Sequence, residues 1–273
     1  MIEVIRQDFP RGEFRAVLFD FDGTLSLIRR GWQDVMIPMM VDILAATGTQ
    51  ESRETLHAHV EEFVMRLNGK QTIYQMLQLA EEVRARGATP CDPLEYKRRY
   101  HELLWERIRP RVAALEAGTL TPEELTVPGT HRLLARLHQR GLPLYLASGT
   151  DLVYVRKEAH ALDVDQFFGP RIYGALDDYK RFSKQIVIER ILRENHIPGE
   201  RLLSFGDGYV EIQNTKQVGG LAVAVASDEA HNGSGRCDPW KRQRLLGVGA
   251  DVVIPDYRQS EALLRVLLGD QSG

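Results

Sequence analysis

The sequence predicts an α/β protein, a parallel sheet with helices on both faces, whose chain is interrupted after its first strand by a block of helices. Three observations carry this. Over the second half of the chain, short apolar runs alternate with amphipathic helical patterns. One apolar run, "AVLF" at 16–19, stands far upstream of the others. Between about 28 and 125 no convincing strand occurs.

Taken in order, "AVLF" reads as a buried strand ending at Asp20. Four helical stretches follow: "WQDVMIPMMVDILAATG" (32–48), "ETLHAHVEEFVMRLNG" (54–69), "TIYQMLQLAEEVRARG" (72–87) and "LEYKRRYHELLWERIRPRVAALEAG" (94–118), each with one apolar stripe. "LTPEELTVPG" (120–129), with two prolines and a glycine, reads as the return linker. "GTHRLLARLHQRG" (129–141) is a helix stopped at a glycine. "SKQIVIERILRENHI" (183–197) is a helix with Ser183 at its N-cap. "LPLYLAS" (142–148), "RLLSFGD" (201–207), "LAVAVAS" (221–227) and "ADVVIPD" (250–256) read as buried strands, and "RIYGAL" (171–176) as a weaker one. The expected organisation is a catalytic core of residues 1–27 and 126–273 carrying a helical cap of residues 28–125.

Composition narrows the function. The chain has 273 residues, with 43% hydrophobic and 27% charged residues, as ordinary globular proteins do. A net charge of −3 gives no reason to expect nucleic acid or an anionic membrane as partner. No apolar stretch reaches membrane-spanning length, and the N-terminus lacks the apolar segment of a signal peptide. Two distant cysteines, Cys91 and Cys237, fit neither a disulfide framework nor a zinc site, so the expected compartment is a reducing cytoplasm. Nothing in the sequence fixes the oligomeric state.

The chemistry gathers at strand ends. Asp20 ends the first strand, Ser148 ends "LPLYLA" and Asp207 ends "RLLSFG". Ligands bind at the carboxyl edge of an open parallel sheet, so three strands deliver polar groups to one edge. Lys184 adds a cation at the start of the helix before Asp207, with Lys180 as its rival. Two aspartates as close as Asp20 and Asp22 cannot both stay ionised cheaply unless a cation lies between them or one takes a proton. Mg²⁺ suits such a site, because it takes oxygen ligands and keeps several waters. Gly23 lets the chain turn so that Asp22 faces back over the site.

These residues resemble the haloacid dehalogenase superfamily in its phosphatase branch. "DFDGT" (20–24) is similar to its first motif, "ASGT" (147–150) to its second, Lys184 to its third and "GDGYVE" (206–211) to its fourth, with Glu211 where an aspartate is usual. The helical insert stands where that family places a cap, so the resemblance implies a Rossmann-like core. It also implies Asp20 as the nucleophile forming an aspartyl-phosphate and Asp22 as general acid and base. Thr24, Ser148 and the N–H of Gly149 would hold the phosphoryl group, and Lys184 would neutralise charge on it. Mg²⁺ would sit on Asp20, the carbonyl of Asp22, and Asp207, with Glu211 on the ion or its waters. The expected substrate is a small phosphorylated metabolite. A phosphomutase uses the same machinery; a phosphonate carbon–phosphorus hydrolase would lack Asp22 and use a cap lysine; a non-catalytic binding protein would have retired the motifs.

Outside the motifs, "NGKQT" (68–72) breaks the helical pattern and places Lys70 and Gln71 on a cap loop. It reads either as a loop lowered onto the substrate or as a plain turn between helices. "KRQR" (241–244) reads as a solvated loop, and His57 and His59, two apart on a helix, as surface residues.

Overall fold

The computed structural model describes residues 1–176 and 178–269; the last four residues of the expected core, 270–273, lie outside the described residues. Strands β1 (Glu3–Val4) and β2 (Ala16–Phe19) precede helices α1 (Gln33–Ala45), α2 (Arg53–Arg66), α3 (Thr72–Ala85) and α4 (Pro93–Glu116). The chain continues through α5 (Thr130–Gln139), β3 (Leu144–Asp151), α6 (Leu152–Ala161), α7 (Asp165–Phe168) and β4 (Ile172–Ala175). Then come α8 (Lys184–Asn195), β5 (Leu202–Gly206), α9 (Tyr209–Gln217), β6 (Leu221–Val225), α10 (Pro239–Gly247), β7 (Val252–Ile254) and α11 (Ser260–Leu268).

The sheet runs β1-β7-β6-β5-β2-β3-β4. All pairings are parallel except β1 with β7, which is antiparallel. The two-residue β1 is absent from the sequence reading, since so short an edge strand leaves no periodic pattern. β2 lies between β5 and β3, so Asp20 leaves the sheet near its middle. Side chains of β2 alternate between the two faces. Val17 and Phe19 join the cluster that includes Leu133, Phe205 and Leu264, whereas Ala16 and Leu18 pack with Ile188 and Ile191 of α8. Phe19 stacks on Phe205 with ring centroids 4.7 Å apart, a fully buried side chain worth roughly 1.5–3 kcal/mol. Coverage on both faces explains why the strands read as continuous apolar runs.

Helices α1–α4 fall between β2 and β3, where the sequence has its helical block. The two connections to this block lie side by side: Leu27 N–H donates to Leu125 O at 2.8 Å and Val127 N–H to Leu25 O at 2.9 Å. Residues 241–244 lie within α10, so "KRQR" is helical and not a solvated loop. Asp238 caps that helix, its side chain accepting from the Lys241 N–H, a local signal strong enough to organise nine residues that have little apolar periodicity. Among the described residues no helix is long and apolar enough to cross a membrane.

Candidate active site

Asp20 follows β2 directly, and its N–H donates to Phe205 O at 2.9 Å, tying it to the end of β5. Its carboxylate is buried and accepts from Lys184 Nζ at 2.8 Å. Lys184 occupies the first position of α8 because Ser183 caps that helix, accepting from the Ile186 N–H. This aims the buried ammonium at the sheet edge, while Lys180 is exposed. Burial pushes the Asp20 carboxyl up to about 7 against the pull of Lys184, and the charge of Asp207 adds to the rise.

Asp22 faces the second motif. Its Oδ2 accepts from Thr150 Oγ1 at 2.9 Å and Ser148 Oγ at 3.2 Å. Its Oδ1 is buried with no hydrogen-bond partner among the described residues, 3.8 Å from Arg29 Nε. The turn that presents Asp22 requires glycine at 23: φ is +75°, and a Cβ there would stand 2.2 Å from Asp207 Oδ2.

Three expected residues have partners that the sequence does not announce. Thr24 does not face the phosphoryl position; its buried hydroxyl donates to Asp207 Oδ1 at 3.4 Å. Glu211 sits on the first turn of α9, buried, and forms an ion pair with Lys184, which therefore bridges Asp20 and Glu211. Both of its carboxylate oxygens are buried without a hydrogen-bond partner among the described residues. Gln71 turns its amide nitrogen to main chain: Nε2 donates to Tyr179 O at 3.1 Å and Phe182 O at 2.8 Å, latching the 68–72 loop onto the segment before Lys184, while Oε1 is buried without a partner among the described residues.

That loop is both a helix–helix turn and a cover. A Cβ on Gly149 would stand 2.7 Å from Lys70 O, and one on Gly69 would stand 3.4 Å from Gly208 Cα. Lys70 is exposed, with Nζ 5.8 Å from the centre of the Tyr74 ring. Beneath it lies a cavity of about 950 Å³ lined by Asp20, Asp22, Ser148, Gly149, Lys184 and Asp207 from the sheet edge and by Lys70 from the insert.

Sequence reasoning missed two charge groups. Arg29, just after the first motif, makes a bidentate pair with Glu158 of α6, with contacts of 2.7–3.1 Å, and both side chains are buried. Lys241 of α10 is buried against Asp207 Oδ2 (2.8 Å), Glu229 Oε1 (2.6 Å) and Ser227 Oγ (3.1 Å). Burial would lower its pKa, but Asp207 and Glu229 outweigh this and raise it above the ordinary lysine value. Thr150, which holds Asp22, stands inside "ASGT".

A family model for haloacid dehalogenase-like hydrolases matches residues 14–219, which span every one of the four motifs. The chain belongs to the haloacid dehalogenase-like hydrolases. Solved structures of similar fold include a predicted phosphoglycolate phosphatase from Haemophilus somnus, 13% identical with a TM-score of 0.58 over 92% of this chain and 98% of that one. A β-phosphoglucomutase from Clostridium difficile is 11% identical, with a TM-score of 0.60 over 93% and 97%. A conserved haloacid dehalogenase-like protein of unknown function from Agrobacterium tumefaciens is 18% identical, with a TM-score of 0.57 over 92% and 97%. No curated protein matches the chain. These likenesses establish the Rossmann-like core with its helical cap. The residues also suit a divalent cation. Asp20 and Asp207 are carboxylates close enough for the charge of one to raise the pKa of the other, and both line the cavity. Carboxylate oxygens suit a hard oxygen-seeking ion, which also takes main-chain carbonyl and water ligands.

Proposed function

We propose that this hydrolase is a Mg²⁺-dependent phosphatase of a small phosphorylated metabolite, acting through an aspartyl-phosphate at Asp20. The observation that carries the reading is the Asp20 carboxylate, held by Lys184 at 2.8 Å, at the end of a central strand and facing a covered cavity. An Asp20 oxygen attacks phosphorus, the bond from phosphorus to the leaving oxygen breaks, and Asp22 gives its proton to that oxygen. Water then attacks the aspartyl-phosphate, Asp22 takes the water's proton, and inorganic phosphate leaves with Asp20 regenerated. Ser148 and the Gly149 N–H hold the phosphoryl oxygens, and Lys184 offsets their charge. Thr150 fixes Asp22 Oδ2, leaving Oδ1 to exchange the proton, and Ser148 turns its single O–H from Oδ2 to the phosphoryl oxygen when substrate binds. Bound at Asp20, Asp207 and the Asp22 carbonyl, Mg²⁺ supplies further neutralisation of the transferring group. The latched 68–72 loop limits water and substrate size.

The test is hydrolysis of 4-nitrophenyl phosphate with Mg²⁺, then a screen of phosphorylated metabolites scored for free phosphate and for isomerised sugar phosphate. Wild type should release phosphate, and Asp20→Asn should release none, because an amide is not an anionic acceptor. Turnover by Asp20→Asn within about tenfold of wild type would sink the nucleophile. An isomerised sugar phosphate in place of free phosphate would make the enzyme a mutase.

A further inference from the structure

Lys241, like Arg29, is a buried cation of the site that no motif places there, and it is the one that meets Asp207. An ammonium has three N–H donors. Here three acceptors take them: Asp207 Oδ2 at 2.8 Å, Glu229 Oε1 at 2.6 Å and Ser227 Oγ at 3.1 Å. No donor remains for a phosphoryl oxygen, so Lys241 is neither a phosphate ligand nor a general acid. Its surroundings are fixed in turn. Ser227 Oγ donates to Gly23 O at 2.7 Å, joining β6 to the turn of the first motif. Asp238 caps α10 and accepts from the Lys241 N–H at 2.8 Å. Arg30 Nη1 donates to the Glu229 carbonyl at 3.4 Å.

We propose that Lys241 is a tethered counter-ion, which balances Asp207 and Glu229 from within the chain and so holds down the site's affinity for a divalent cation. This rests on the proposed function only in placing such a cation at Asp20 and Asp207. Two effects of the ammonium oppose each other. By holding Oδ2 it orients Asp207, which favours metal binding. By its charge, one carboxylate away from the metal position, it repels the metal. The orienting share is redundant, because Thr24 Oγ1 donates to Oδ1 at 3.4 Å and Oδ2 lies in the space a side chain at position 23 would fill, next to the Gly23 turn. The charge is not redundant: the other buried ammonium, Lys184, is committed to Asp20 and Glu211. Repulsion therefore decides the sign. Lys241 is a positioning and charge-balancing residue, acting through Asp207 and not on the substrate.

Binding of Mn²⁺ to the full-length protein, followed by electron paramagnetic resonance without substrate, tests this. Lys241→Met should tighten Mn²⁺ binding by about tenfold or more, since the cation now neutralises two bared carboxylates. The double variant Lys241→Met/Glu229→Gln should return to within about threefold of wild type, one of those carboxylates having gone. In EDTA, Lys241→Met should melt below wild type, and Mn²⁺ should raise its melting temperature more than that of wild type. If Lys241→Met does not fold, Glu229→Gln alone decides. It leaves the ammonium under-balanced beside Asp207, so Mn²⁺ should bind about threefold or more weakly. Weaker or unchanged binding in Lys241→Met, a double variant indistinguishable from the single one, unchanged binding in Glu229→Gln, or no binding in any form would overturn the proposal. None of these readings depends on turnover, so failure to hydrolyse 4-nitrophenyl phosphate bears on the phosphatase reading alone.

Discussion

Acid should destabilise the contact between the helical insert and the core through His101. This residue of α4 packs against Tyr154 of α6, with ring centroids 5.1 Å apart, and its Nε2 is buried without a hydrogen-bond partner among the described residues. Its Nδ1 is 3.7 Å from Asp151 Oδ2, too long for a hydrogen bond, and Lys97 already holds that carboxylate at 2.5 Å. Burial pushes the His101 pKa down to about 3 from 6.5, and the charges of Arg29 and Lys97 push the same way. In the folded protein the ring is therefore neutral, while the unfolded chain takes up a proton below 6.5. The unfolded state binds more protons throughout this window, so stability falls as pH falls from 6.5 towards 3. At pH 5 the ring is one and a half units below its unfolded pKa, which at ~1.4 kcal/mol per unit is ~2 kcal/mol lost relative to pH 7.5. Urea denaturation of wild type and His101→Gln at both pH values isolates this share, since carboxylates common to both cancel. Wild type should lose ~2 kcal/mol more than the variant. Equal losses in the two proteins would refute the argument, because His101 would then be solvated enough to titrate normally.

Two further outcomes follow from the geometry around the cavity. Glu158→Gln leaves the buried Arg29 guanidinium without its counter-charge and should cost about 3–5 kcal/mol in urea denaturation at neutral pH, whereas a cost under about 1 kcal/mol would mean that water reaches the pair. Lys70→Ala should lower kcat/KM more for the metabolite found by screening than for 4-nitrophenyl phosphate if the exposed Lys70, which lines the cavity from the insert, contacts the leaving group; equal losses would make it a general electrostatic contributor.

Much of the fold was legible because burial on both faces forces parallel strands to be apolar throughout. Leu202–Gly206 and Leu221–Val225 are such runs, and both strands fall inside the stretches the sequence marks. The helical insert was legible from its stripes, Leu56, Val60, Phe63 and Val64 of α2 being a buried face at helical spacing. β1 was not legible, because two residues cannot display a period. α10 was misread because its organisation comes from a cap and a salt-bridged lysine, and only Lys241 and Leu245 of its nine residues are buried.

Legibility within the site divides along the same line. Groups fixed by their place on a strand end or a helix start could be read: Asp20, Ser148, Lys184 and Asp207 all line the cavity. What could not be read was how the charges pair across the chain. Arg29 meets Glu158 across 129 positions, and Lys241 meets Asp207 from an excursion without a motif. The same limit covers the expected residues. Glu211 is one turn from Asp207 in sequence, and in space it also meets the ammonium of Lys184, a pairing that no spacing in the sequence announces. Gln71 likewise meets two carbonyls far along the chain. A motif fixes which charges enter a buried site, but the pairing inside follows from what else is there to be neutralised. Positions such as Lys241, which carry charge and no pattern, therefore decide how the legible residues behave.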